Sequence, residues 1–167
     1  MKLNRRRFVK YGFGGFLLLT AGGVGLSLQK TKIVSSQQPL KVLSEREFSI
    51  LYAFANAILP NTKDFPMAQT LQVAEGVDSV LYRSDQEVQL EFKQVLMLLE
   101  NAFANFVLNF NTKPFTQCTV EEQVNILESW RTSSIKTQRI AFKALNGLCC
   151  GSYFASEKTH SLVGLYL

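Results

Sequence analysis

Ser44-Glu45-Arg46-Glu47-Phe48-Ser49-Ile50-Leu51-Tyr52-Ala53-Phe54-Ala55-Asn56-Ala57-Ile58-Leu59-Pro60 is the stretch that decides the fold. It opens with Ser44 and Glu47 three residues apart, the spacing of a capping box, in which each side chain satisfies a backbone N–H at the start of a helix. Phe48, Leu51, Tyr52, Ala55, Ile58 and Leu59 then recur at helical spacing. Pro60 stops the helix, because it has no N–H to donate to the preceding turn.

The same grammar repeats downstream. Asn61-Thr62-Lys63-Asp64-Phe65-Pro66 reads as a loop, with Pro66 suited to the first turn of a second helix whose inner stripe is Val73, Val77, Val80 and Leu81. Ser84-Asp85-Gln86-Glu87 reads as a second capping box. It opens what should be the longest helix, with Val88, Phe92, Val95, Leu99, Phe103, Phe106 and Phe110 on one side and Lys113-Pro114 at its end. Thr119-Val120-Glu121-Glu122 is a third box, followed by Val124, Leu127 and Trp130. After Thr132-Ser133-Ser134 a fifth helix carries Ile135, Phe142, Leu145 and Leu148. No stretch alternates in the manner of a strand. The expectation is an all-α fold, a small bundle of about five helices over residues 43–167.

Upstream, residues 31–42 show no apolar period, and Ser35, Ser36, Gln37, Gln38 and Pro39 give them the composition of a linker. Residues 1–30 differ again. The sequence begins Met1-Lys2-Leu3-Asn4-Arg5-Arg6-Arg7-Phe8-Val9-Lys10, and Tyr11 to Leu28 follow without a charge but with Gly12, Gly14, Gly15, Gly22, Gly23 and Gly25. A basic segment before an apolar one is an export pattern. Arg5, Arg6, Phe8 and Lys10 fall on the paired arginines, the aromatic and the lysine of the twin-arginine pattern S/T-R-R-x-F-L-K, with Asn4 and Val9 as mild departures. That route carries proteins already folded. An eighteen-residue helix would span about 27 Å, close to the hydrocarbon core of a bilayer, and an Ala-x-Ala site is missing between Gly22 and Pro39. Retention as an N-terminal anchor therefore stands beside cleavage. The basic residues before the apolar segment keep its start cytoplasmic, so the body is expected on the periplasmic side of the inner membrane.

Charge supports this division. The chain of 167 residues has 18 Lys and Arg against 13 Asp and Glu, a formal charge of +5. Six of the basic residues and none of the acids precede residue 31, so the body is close to neutral and slightly acidic. It lacks the basic excess that phosphate neutralisation requires, and no nucleic-acid partner is expected.

Residues 43–155 resemble the gluconate 2-dehydrogenase subunit 3 family. The resemblance rests on Leu43-Ser44-Glu45-Arg46-Glu47-Phe48, on Ala53-Phe54-Ala55-Asn56-Ala57-Ile58-Leu59-Pro60, and on Phe65-Pro66-Met67-Ala68 with Val73-Ala74-Glu75-Gly76-Val77-Asp78-Ser79-Val80-Leu81. Phe115, Gln123, Ile126-Leu127 and Tyr153-Phe154 also fall where that family has similar residues. The tail His160-Ser161-Leu162-Val163-Gly164-Leu165-Tyr166-Leu167 departs from it. The resemblance implies a non-catalytic small subunit. It would accompany a flavin-dependent dehydrogenase of the glucose–methanol–choline type, often with a multihaem cytochrome c subunit, and would supply the twin-arginine signal that its partner lacks. FAD would sit in the large subunit and haem c in the third, with no cofactor in this chain. Substrates in the wider group are sugars, sugar acids and polyols. The competing reading is an independent exported or membrane-anchored helical binding protein.

Nothing in the chain assembles a reaction centre. His160, the one histidine, has no orienting partner or oxyanion site in view. It completes a single Glu157-x-x-His160 spacing, whereas a di-iron bundle needs two. No catalytic, cofactor-binding or metal-ligating residue is therefore expected. Cys118, Cys149 and Cys150 are the three cysteines. If the last two helices form an antiparallel hairpin, position 118 lies across from about position 147. A disulfide from Cys118 to Cys149 or Cys150 would then stabilise the fold by about 3–4 kcal/mol in the chain-entropy model; three reduced thiols are the alternative. Finally, Leu90, Met97, Ala104 and Leu108 project opposite the main stripe of the long helix. That makes the helix either central in its own bundle or docked on a partner through this face.

Overall fold

The computed structural model describes residues 30–60, 65–68, 72–101, 113–156 and 159. Among them are five α-helices: α1 (Glu45–Ile58), α2 (Val73–Leu81), α3 (Gln86–Glu100), α4 (Val120–Thr132) and α5 (Lys136–Phe154). A single 3₁₀ turn, Phe115–Gln117, precedes α4. No strand occurs among the described residues, and the fold is all-α.

Helix α1 is the central post. Its capping box forms: Ser44 Oγ accepts from the Glu47 N–H at 3.3 Å, and the Ser44 N–H donates to Glu47 Oε2 at 2.7 Å. At its end the Leu59 N–H still reaches Ala55 O, and Pro60 has no N–H to continue. The helix buries Phe48, Ser49, Ile50, Leu51, Phe54 and Ala55, a band wider than one stripe. A helix apolar over that much of its circumference must be surrounded. The other four helices and the 3₁₀ turn all pack on it.

Helix α2 begins at Val73, later than Pro66 suggests. Pro66 is instead outside the helix, where its carbonyl accepts from the Tyr153 hydroxyl at 2.8 Å. Val73, Ala74, Val77, Asp78 and Leu81 face inward and Val80 outward. Helix α5 comes close at Gly76: a Cβ there would lie 2.1 Å from Ser152 Oγ, which donates to Val73 O at 3.1 Å.

Helix α3 corrects two expectations. The second capping box does not form: Asp85 is the N-cap and makes no side-chain cap bond. Ser84 Oγ donates to Val80 O instead, and Gln89 Nε2 takes the Leu81 and Ser84 carbonyls at 3.0 Å each. These side chains close α2 rather than open α3. The helix also does not run to Lys113-Pro114. It ends at Glu100, and Asn101 is extended, with φ −66° and ψ 111°. The buried Glu100 carboxylate is bonded to Thr116, which holds the end of α3 against the 3₁₀ turn. Phe92, Leu96 and Leu99 make the inner stripe and Val88 is exposed. Phe103, Phe106 and Phe110 lie outside the described residues.

Ser133-Ser134-Ile135 joins α4 to α5, and the two helices pack together. Their inner faces are Gln123, Ile126, Leu127 and Trp130, and Gln138, Ala141, Leu145, Cys149 and Tyr153. Val124 and Ile135, expected inside, are exposed.

Candidate functional site

The bundle grips the fourteen residues before α1. Residues 30–43 form no helix or strand, as their composition suggests, but their main chain is tied down along its length. We call this segment the strap.

At its C-terminal end, three successive N–H groups converge on one carboxylate. Lys41 N donates to Asp78 Oδ2 at 2.7 Å, while Val42 N and Leu43 N donate to Asp78 Oδ1 at 3.1 and 2.8 Å. Asp78 is on the inner face of α2 and only 2% exposed. Bonds from amides to an ionised acceptor are stronger than neutral ones, and three of them offset much of the cost of burying the carboxylate. Leu43, buried beside them, joins the core.

In the middle, Ser49 on α1 engages both main-chain groups of Val34. Its Oγ accepts from Val34 N at 2.8 Å and makes a longer contact to Val34 O at 3.3 Å. Glu75 Oε1 accepts from Ser36 Oγ and Gln37 N, and the Gln37, Gln38 and Gln72 amides bond in a chain. Gln72 holds a left-handed conformation, φ 53°, at the start of α2.

At its N-terminal end the strap meets the 3₁₀ turn. Lys32 N donates to Thr116 Oγ1 at 3.0 Å, and Gln117 Nε2 donates to Lys30 O. Thr116 is itself fixed by Glu100, whose Oε2 accepts from Thr116 N at 2.9 Å and whose Oε1 accepts from Thr116 Oγ1 at 2.6 Å. Gln123 Nε2 holds the Phe115 carbonyl at 3.0 Å. Ser49, Asp78, Glu100, Thr116 and Gln123 are all buried polar residues, and all five serve the strap or the turn that receives it. Their chemistry is that of acceptors and donors for a peptide chain: even the Thr116 hydroxyl, which donates to Glu100, is engaged as the acceptor of Lys32 N.

The residues singled out from sequence fall elsewhere. Arg5, Arg6, Phe8 and Lys10 lie outside the described residues, as do Ala104, Leu108 and His160. Leu90 is 59% exposed, but Met97 packs against the core, so the expected face is not continuous along α3. The first turn of that helix is largely exposed, and burial begins at Phe92. No disulfide joins Cys118, Cys149 and Cys150 to one another in this structure, so the expected bridge from Cys118 is not formed there. Cys118 Sγ contacts Pro114 O at 3.4 Å and Cys150 Sγ contacts Asn146 Oδ1 at 3.8 Å. Burial, with Cys150 next to it, pushes the Cys149 thiol far up, and burial raises Cys150 as well. Neither is a ready thiolate.

Among the described residues no three His, Cys, Asp or Glu side chains come together as a metal site. No described helix is long and apolar enough to cross a membrane. A shallow surface depression between α1 and α2, lined by residues including Tyr52, Asn56, Ala68 and Glu75, encloses essentially no cavity.

Sequence reasoning missed the strap's partners, although one signal was present. Asp78 occupies an inner position between Val77 and Leu81, and a carboxylate on the buried face of an apolar helix asks for donors. A family model described as gluconate 2-dehydrogenase subunit 3 matches residues 45–163. No curated protein and no solved structure matches the chain.

Proposed function

The chain belongs to the gluconate 2-dehydrogenase subunit 3 family, and on that premise we propose that it is the non-catalytic small subunit of an exported dehydrogenase complex. The catalytic partner is a flavin-dependent enzyme of the glucose–methanol–choline type acting on a sugar, sugar acid or polyol. This chain supplies the export signal through Arg5 and Arg6, and its helical body binds the partner, which carries the FAD. Complexes of this kind often include a cytochrome c subunit as well, which would carry haem c. The twin-arginine translocase carries the folded pair across, and the complex works on the periplasmic side of the inner membrane.

The observation that supports this reading most is a juxtaposition within one chain. The family match spans the bundle, and Asn4-Arg5-Arg6-Arg7-Phe8-Val9-Lys10 precedes it. A folded, tightly strapped body is the kind of cargo that such a leader carries.

Purification of the tagged full chain from its own cell tests the partnership. The expected result is a stoichiometric companion with flavin absorbance and dye-linked dehydrogenase activity. A chain that purifies alone, with all flavoprotein left behind, contradicts the proposal and favours an independent binding protein.

A further inference from the structure

The strap has exposed side chains and an engaged main chain. Lys32, Ile33 and Ser35 point to solvent, and Ile33 is 51% exposed. By side-chain exposure alone this segment is open to cutting. Peptidases, however, take a substrate as an extended strand and read it through main-chain hydrogen bonds, as in other strand-addition complexes. The main-chain groups they would need are already taken by Thr116, Ser49, Glu75 and Asp78.

No Ala-x-Ala site lies in the strap, but Val34-Ser35-Ser36 is a loose variant of one, with Val34 in place of the first small residue. Yet Val34 N is bonded at 2.8 Å to Ser49 Oγ, a side chain only 1% exposed, and Ser36 Oγ is bonded to Glu75. To be cut there, the chain must first lift off α1 and α2. Its partners come from positions 15 to 87 residues away, so they exist as a set only in the folded bundle.

We infer that the strap is a fold-dependent shield, and that every processing cut on the folded chain falls before Lys30. Residues from Lys30 onward belong to the folded body. From Lys30 to Leu43 the chain is held on the bundle while that is folded, and the Val34-Ser35-Ser36 triplet becomes cleavable only when it is not. The meaning of this for the cell rests on the export reading above; the shielding itself does not.

Limited trypsin digestion of the full chain in detergent, followed by intact mass, tests the shield without export. Trypsin sites inside the strap are Lys30, Lys32 and Lys41. Cuts after Lys32 and Lys41 should be at least tenfold slower in the parent than in a Ser49→Ala/Asp78→Ala variant, with helical circular dichroism unchanged in both. If the double variant loses its helices, Ser49→Ala alone is compared with the parent by amide exchange. The Val34 amide should then exchange at least tenfold faster in the variant. Equal cleavage or equal exchange in parent and variant overturns the shield. Protein recovered outside the cytoplasm should begin before Lys30; one that begins at Gln37 overturns the inference as well. A chain that never leaves the cytoplasm, with the trypsin contrast intact, removes the export reading and leaves the shield standing.

Discussion

Helix α1 and the strap before it are neighbours in sequence, fourteen residues each, and are held by opposite means. Helix α1 keeps its backbone bonds to itself and buries six side chains. The strap shows most of its side chains to water and gives its backbone to buried polar side chains on other elements. One segment is fixed by apolar area, the other by a handful of directed bonds. Apolar burial degrades gradually when altered, whereas a clamp of hydrogen bonds fails where its shared acceptor is lost.

The largest effect should therefore come from α1. Phe54 is fully buried, and Phe54→Ala should cost about 3–5 kcal/mol of stability by urea denaturation. Loss of the strap should be smaller and separable. Asp78→Ala removes the acceptor of three amides, and leaving such groups unpaired costs about 1–3 kcal/mol. Amide exchange in that variant should speed up at Lys41, Val42 and Leu43 before it does in α1. Uniform acceleration across both segments would mean that strap and post are one unit, and the contrast between them would be lost.

These two segments also mark how far the sequence could be read. The helix α1 pattern is local: a Ser44–Glu47 box, a run of apolar residues and Pro60 lie within seventeen positions. The strap's partners lie as far off as Gln117, and nothing in Ser-Gln-Pro composition announces them. Similar physics explains the smaller misses. Val80, Val88, Val124 and Ile135 were placed inside by residue type, yet they face out, while Asp78, Glu100, Gln123 and Gln138 took inner positions because each found a partner there. Ser84-Asp85-Gln86-Glu87 has the letters of a capping box, but the Ser84 hydroxyl that would cap α3 donates to Val80 O at the end of α2 instead.

Helix packing gives a smaller effect. A methyl at position 76 meets Ser152 Oγ, which must rotate away and release Val73 O; set against the helix-propensity gain of replacing glycine, Gly76→Ala should cost about 1 kcal/mol or less. Adding Ser152→Ala should recover much of that, with a coupling on the order of 1 kcal/mol between the two sites. Strict additivity by thermal melts would show that α2 and α5 do not meet there.

The caps should give changes of similar size or smaller, and they rank the three boxes. Ser44→Ala and Thr119→Ala each remove a formed box and should cost about 1 kcal/mol. Asp85→Ala, whose side chain makes no cap bond, should cost distinctly less. The Thr119 box has a pH signature too. Backbone bonding from Thr119, with Lys113 beside it, holds the Glu122 carboxyl below its ordinary value. A lowered folded pKa stabilises above the unfolded value and loses that contribution as pH falls through the folded one. The deficit of Glu122→Gln relative to the parent should thus shrink in acid, where the parent carboxyl is itself neutral; a deficit that grows there would contradict the assignment.

The central claim joins the leader and the bundle in one task, to carry a flavoprotein out. Replacing Arg5 and Arg6 together by Lys preserves the leader's charge and leaves the bundle untouched, so it tests that claim most directly. The measurement is the partition of this chain and of flavin-dependent dehydrogenase activity between the cytoplasm and the periplasmic side of the membrane. The account predicts that both stay in the cytoplasm together in the double-Lys variant, still bound to each other. Normal export of the chain, or export of the dehydrogenase without it, would contradict the account.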